Sequence, residues 1–226
     1  MDSLPTPSLA ANPGGMLAIW HDVAPGQSAT VREWYDREHH FERLAIPGFM
    51  EARRFDRVAG TGAEMFGAYR VIAPEVLNSD AYRARVDAPS AWTREAMRHF
   101  RNMSRTVCVI TGRAGHAQGG FLAALASPHG ELIDASATCD QLLSPPGVLQ
   151  VTALAAERKA PVASSTEQGL RSGPDAQIAW ALLFDTDSLD AGKRVLEAAQ
   201  SLTGCHQPVQ AAVYRLCFAA RNPLEA

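Results

Sequence analysis

Two adjacent histidines lie beside aromatic and acidic residues in one short stretch of the chain. The stretch contains Trp34, Tyr35, Glu38, His39 and His40. An imidazole titrates near neutral pH, and a neighbouring carboxylate or aromatic wall can shift that titration. The composition is therefore typical of a proton-transfer site. A surface helix with a mixed-charge face has the same composition, so that alternative stays open from the pattern alone.

Helical spacing divides this stretch into two directions. Tyr35 and His39 are one α-helical turn apart and face the same way, whereas His40 points round toward Asp36 and Arg43. We expect His39 to act as general acid or base with Tyr35 beside it, and His40 to be a solvated neighbour. A His39 that only hydrogen-bonds within the core is the structural alternative.

Strand residues supply the other candidates. His21 and Asp22 end the first predicted strand, and alternation places them on opposite faces, so only one can look inward. Asp22 is the candidate for orienting His39 or the substrate, although it can instead cap the next turn. Arg54 is expected to bind an anionic group through its planar donors. The predicted substrate-binding residues are Trp34, Arg54, His21 and Phe49.

The spacing argues against a bound metal or cofactor. His39 and His40 project about 100° apart on an α-helix, so both cannot easily bind one ion, and no HxxxH or HxH spacing occurs. The glycine-rich stretch 112–120 lacks the GxxxxGK[ST] pattern of a phosphate loop. No residue is singled out as an axial haem ligand. We therefore expect no metal and no cofactor.

Composition bounds the class of partner and the compartment. A formal net charge of −3 and a pI near 6.2 argue against non-specific nucleic-acid binding. No apolar run approaches the roughly 20 residues that span a bilayer, and the N-terminus lacks signal-peptide features. Few lysines among many arginines suggest a bacterial coding bias. We expect a cytoplasmic protein whose partner is a small-molecule substrate.

The hydrophobic pattern gives the same order of elements twice. After a tail over 1–15, which we expect to be disordered, strands and helices follow the order β-α-β-β-α-β over 16–112. A linker at 113–120 precedes a second such half over 121–220. Pro-Gly pairs at 47–48 and 146–147 fall at the same point in each half, which indicates duplication and divergence.

Each half has the order of a ferredoxin-like fold, with helices on one face of an antiparallel sheet. The bare face of one sheet can be covered by the other. We therefore predict an α+β protein in which two ferredoxin-like halves form a pseudo-dimeric barrel with a cavity between the sheets. Such a chain closes its barrel alone and can still form a homodimer.

The first half also resembles a known group. The helical pattern W-Y-x-x-E-H at 34–39, the P-G-F at 47–49 and the following strand with Arg53 and Arg54 are similar to the EthD-like branch of the dimeric α/β-barrel superfamily. The resemblance covers residues 16–112. The second half has neither the Trp-Tyr pair nor the histidine on its first helix, so one site per chain is expected.

The resemblance implies several activities without choosing among them, because the superfamily contains cofactor-free monooxygenases, isomerases, dehydratases and haem enzymes. From the residues we expect a cofactor-independent isomerase or lyase that acts by His-mediated proton transfer on a small aromatic, polyketide-like or lactone substrate. A cofactor-free monooxygenase is the first alternative. A non-catalytic small-molecule binder or stress-associated protein is the second.

Overall fold

The computed structural model describes residues 14–158, 165–171 and 174–222, which form a closed antiparallel barrel with helices outside it. Around the barrel the strand order is β1-β3-β2-β8-β5-β7-β6-β4. The strands are β1 Gly15–Val23, β2 Phe49–Thr61, β3 Met65–Val71, β4 Phe100–Gly115, β5 Phe121–Ser127, β6 Val148–Ala156, β7 Trp180–Thr186 and β8 Gln210–Arg221. The α-helices are α1 Ser28–Trp34, α2 His40–Leu44, α3 Asp80–Asp87, α4 Ala91–Met97, α5 Ala135–Leu143, α6 Thr166–Gly169 and α7 Leu189–Thr203.

The strand order confirms the predicted α+β class and the closed barrel. The first four strands are ordered β4-β1-β3-β2 and the last four β8-β5-β7-β6, so both quartets follow the same path. They are joined by antiparallel pairing of β2 with β8 and of β4 with β6. The interpretation of these quartets as two ferredoxin-like units from a duplication remains a hypothesis.

The two faces of each strand pack in different layers. On β1, Met16, Ala18 and Trp20 point into the barrel, while Leu17 and Ile19 point out toward the helices. The middle of the barrel is filled by large side chains, among them Trp20 stacked on Phe66 with ring centroids 4.4 Å apart. The expected open cavity between the sheets is therefore absent from the middle of the barrel in the described part of the chain.

Several predicted boundaries need correction. β4 continues to Gly115, so residues 113–115 belong to a strand rather than to the expected linker. The predicted tail at 1–15 lies outside the described residues except for its last two, and Gly15 already begins β1. A short helix, α6, lies between β6 and β7 and adds one element to the predicted order. Among the described residues, no helix is long and apolar enough to span a membrane.

Candidate functional site

The helix that carries the histidines contains a π-helical turn at Tyr35–His39, between α1 and α2. The backbone N–H of His40 donates to the carbonyl of Tyr35, five residues earlier, so this turn holds one residue more than an α-helical turn. The additional residue brings His40 onto the face of Tyr35, on which its ring stacks. His40 is 0% exposed, and the prediction that it is solvated is wrong.

Three histidines surround the ring of Tyr35 on the outer face of the barrel sheet. The ring centroid of Tyr35 lies 5.8 Å from that of His21, 5.5 Å from that of His39 and 5.0 Å from that of His40. We call these four residues the histidine cluster. It lies between the helices and the sheet rather than inside the barrel, which corrects the expected position of the site.

Asp22 lies apart from the histidine cluster. Its side chain accepts hydrogen bonds from the backbone N–H of Glu64 at 2.9 Å and from Nδ2 of Asn102 at 2.8 Å. Strand alternation turns its carboxylate away from the face that His21 occupies. Of the three predicted catalytic residues, the structure therefore brings His39 and Tyr35 together and leaves Asp22 out.

His21 and Tyr35 form a buried hydrogen-bonded pair. Nδ1 of His21 is 3.1 Å from the carbonyl oxygen of Asp22, which can only accept, so Nδ1 carries the proton. Nε2 therefore has a free lone pair, and the hydroxyl of Tyr35 donates to it at 3.0 Å. Burial lowers the pKa of His21 to about 4 and raises the pKa of Tyr35 above its usual range. Both groups are neutral at pH 7.

His39 is held against Trp34, with ring centroids 4.2 Å apart. Trp34 is fixed in turn by its indole N–H, which donates to Oγ1 of Thr93 on α4 at 3.1 Å. Nδ1 of His39 has no hydrogen-bond partner within the described residues. Burial, and then the positive charge of Arg43, hold the pKa of His39 well below its usual value. The imidazole is thus neutral and keeps its bonding capacity free.

His40 is enclosed by aromatic rings. It stacks on Phe218 of β8 with ring centroids 4.4 Å apart, and neither of its ring nitrogens has a hydrogen-bond partner in the described ranges. Burial, reinforced by the positive charge of Arg54, lowers its pKa to about 3. Sequence reasoning missed Phe218, because no local pattern connects β8 with the first helix.

Two predicted substrate-binding residues have other partners. The guanidinium of Arg54 donates to both carboxylate oxygens of Asp36 at 3.1 Å and to Asp56 at 3.0 Å, so its charge is already neutralised. Phe49 is 0% exposed and stacks on Tyr82 with ring centroids 6.0 Å apart. Of the other two, Trp34 packs against the histidine cluster and His21 is a member of it.

The cavity beside His39 is closed by residues 165–171, which we call the strap. Its volume is about 20 Å³, enough for one water molecule. Nη2 of Arg43 donates to both oxygens of Glu167 on the strap, at 2.6 and 2.5 Å, and both side chains are buried. An organic molecule does not fit this volume, so its entry requires the lining to move, and Glu167 and Arg171 of the strap are part of that lining. Sequence reasoning missed this ion pair, whose members are far apart in the chain.

The described residues contain no group of three or more His, Cys, Asp or Glu side chains arranged to hold a metal ion. Glu38, the carboxylate nearest to His39 in sequence, instead accepts hydrogen bonds from Ser90 at 2.5 Å and Thr93 at 3.2 Å at the start of α4. The chemistry available to the histidine cluster is therefore that of neutral imidazoles and a phenol among aromatic rings.

Comparison with known proteins identifies the fold. No family model matches the chain, and no curated protein matches it. An anthrone oxidase-like protein superposes with a TM-score of 0.56 at 10% identity, over 96% of each chain. A proposed monooxygenase of Fusobacterium nucleatum superposes with a TM-score of 0.53 at 8% identity, over 92% of this chain and 94% of that one. At these identities the superpositions show that the chain shares the fold of these two proteins.

Proposed function

We propose that the chain is a cofactor-independent enzyme in which His39 removes a proton from a small, planar organic molecule. The observation that carries this proposal is an imidazole that is neutral, buried and unpartnered at Nδ1, beside an aromatic-lined cavity. A neutral imidazole always has one nitrogen lone pair that can accept a proton. The aromatic walls favour a flat, apolar substrate, and the small present volume requires the strap to open first.

The proton balance admits two outcomes after the same first step. The substrate C–H proton passes to His39 and leaves a delocalised carbanion. The hydroxyl of Tyr35 can then exchange its hydrogen bond to His21 for one to the carbanion. In an isomerase the proton returns at another carbon; in a lyase the carbanion expels hydroxide, which leaves as water with that proton. These outcomes need no external oxidant.

A cofactor-free monooxygenase is the second candidate. Here the carbanion reduces molecular oxygen, so that a CH₂ group and O₂ give a carbonyl group and water. The two solved structures are described as anthrone oxidase-like and as a proposed monooxygenase, and they support this second candidate about as well as the first. Oxygen uptake during turnover separates the two.

The proposal keeps the finer expectations from the sequence: an EthD-like relationship, two ferredoxin-like halves derived by duplication, a cytoplasmic location and a homodimer. None of them is needed for the chemistry at His39. A non-catalytic binder of the same ligand is the competing hypothesis, because binding needs the pocket but no titrating residue.

The test uses anthrone as probe, with oxygen consumption and substrate absorbance recorded together. We expect His39→Ala to lower kcat about 100-fold or more, since general-base catalysis contributes typically 10²–10⁴-fold. Tyr214→Phe is the matched control: it removes a buried hydroxyl, bonded to Gln210 at 3.1 Å inside the barrel, and should leave kcat unchanged. If no substrate from a panel of enones, lactones and anthrones turns over and His39→Ala retains binding, the protein is a binder.

A further inference from the structure

A second cavity opens at one end of the barrel, on the other side of the sheet from the histidine cluster. Its volume is about 460 Å³, and its lining includes Glu51, Arg70, Arg113, His116, Gln118 and Arg221. Arg70 follows Tyr69, whose ring faces His39 on the outer side of the sheet, so alternation turns Arg70 inward. The mechanism proposed above uses none of these residues.

The carboxylates at this end already have cationic partners. Nη1 of Arg53 donates to Asp185 at 2.7 Å, and Nε of Arg53 lies 3.6 Å from Glu51. Nε of Arg221 donates to the same Glu51 at 3.1 Å. Both acids are therefore engaged by arginines other than Arg70 and Arg113.

Arg70 and Arg113 lack an anionic partner. Within the described ranges neither forms an ion pair, and the Nε atom of each is buried without a hydrogen-bond partner. Arg113 donates through Nη2 to the side-chain oxygen of Gln150 at 2.7 Å, a neutral acceptor. Burial, and then the charge of Arg70, lower the pKa of Arg113. Two guanidinium groups thus face one cavity with unused donors, and the carboxylates that act on their charge, Glu51 and Asp185, are shared with Arg53 and Arg221.

We infer that this cavity binds a small molecule through an oxyanion, a carboxylate or a phosphate, held between Arg70 and Arg113. A planar guanidinium matches the two oxygens of such a group and binds it through paired charge-assisted hydrogen bonds. The volume is in the range of small-ligand sites. Glu51, which also lines the cavity, is held by Arg53 and Arg221, so that the donors of Arg70 and Arg113 are left for the ligand.

The experiment is calorimetric titration of the full chain with inorganic phosphate and, separately, with benzoate, at constant ionic strength set by sodium chloride. We expect saturable binding of at least one probe, and the probe that binds identifies the oxyanion. Arg70→Gln and Arg113→Gln should each weaken it about tenfold or more, because each removes a charged hydrogen-bond donor pair. Arg113→Lys should restore part of the affinity by returning the charge.

Arg98→Gln is the matched control, because it removes one positive charge from an exposed side chain paired only with Glu95. It should change affinity less than twofold. His39→Ala should bind the probe as the parent does, which separates this inference from the proposed function. The inference is overturned if neither probe binds the folded parent, or if the control loses as much affinity as the Arg70 and Arg113 variants.

Discussion

Each imidazole of the histidine cluster is neutral in the folded protein because burial disfavours the charged ring, and at His39 and His40 the positive charges of Arg43 and Arg54 act in the same direction. The pKa of His21 falls to about 4 and that of His40 to about 3, against 6.5 in an unfolded chain. A histidine whose folded pKa is depressed contributes its full stability above pH 6.5. That stability is lost as the pH falls toward the folded pKa, since the unfolded chain then binds more protons.

His40 offers a test of this linkage, because a phenylalanine can replace its ring in the stack with Phe218. We expect His40→Phe to be as stable as the parent at pH 7.5, or more stable by about 1 kcal/mol, since two unpartnered nitrogens disappear. Between pH 6.5 and 4 the variant should lose about 3 kcal/mol less than the parent, at 1.36 kcal/mol per pKa unit. Urea unfolding at a series of pH values measures both effects.

His206→Phe is the control for that series, because His206 is exposed and its substitution should leave the pH dependence unchanged. An unchanged pH dependence in His40→Phe would contradict burial as the cause of the low pKa. If His40→Phe keeps the parent stability at neutral pH but loses turnover, His40 belongs to the catalytic residues together with His39.

Part of this site could be predicted from residue types alone. Helical spacing brings Tyr35 and His39 together, and they are neighbours in the structure. The sequence also indicated that His21 and Asp22 face opposite sides of a strand, but it could not tell which face the helix would cover. The partners of His40 and Arg43 come from β8 and the strap, whose approach depends on barrel closure rather than on any local pattern.

At the scale of elements, the π-helical turn decides the geometry of the site. An α-helix would turn His40 away from Tyr35, five residues earlier, whereas the π-turn stacks the two rings with centroids 5.0 Å apart. No residue type in this stretch signals such a turn. It is held by tertiary contacts, including the bond from Trp34 to Thr93 and those from Ser90 and Thr93 to Glu38, which anchor the helix to α4.

We expect the strap to control access to His39, and its buried ion pair with Arg43 allows this to be tested. We expect Glu167→Gln to free the strap, because Arg43 then loses its charged partner. Hydration stabilises an unpaired guanidinium more than a hydrogen bond to a neutral amide does, so the buried arrangement is no longer favoured. The rate at which diethyl pyrocarbonate modifies His39, measured by mass spectrometry, should rise severalfold. The free energy of unfolding should fall by about 1–3 kcal/mol.

Glu95→Gln is the control for strap opening, since Glu95 forms only exposed ion pairs with Arg98 and His99. Neither the modification rate of His39 nor the stability should change in that variant beyond about 0.5 kcal/mol. A Glu167→Gln protein that is less stable but leaves His39 as protected as before would show that the ion pair supports the fold without gating the cavity.

At the scale of the whole molecule, the barrel was predictable because the order of elements repeats and each predicted sheet needs a cover. The sequence pattern did not specify how the two quartets of strands join, and we call the two strand pairs that join them the seams. Alternation shows which face of a strand is apolar, but the pairing of β2 with β8 and of β4 with β6 depends on long-range registers. The filled barrel interior was likewise missed, since its side chains come from all parts of the chain.

From the two seams we predict how cooperatively the chain unfolds. Opening either one exposes two strand edges and the apolar barrel interior, which contains Trp20, Phe66 and Leu183. Neither quartet can then keep its inner face from water, so we expect the chain to unfold in urea in one transition. Tryptophan fluorescence should report the barrel interior through Trp20 and the helical layers through Trp34, Trp92 and Trp180, and far-ultraviolet circular dichroism should report the sheet. The two curves should coincide.

Two separated midpoints would mean that each quartet is stable without the other, and that the barrel is an association of independent halves.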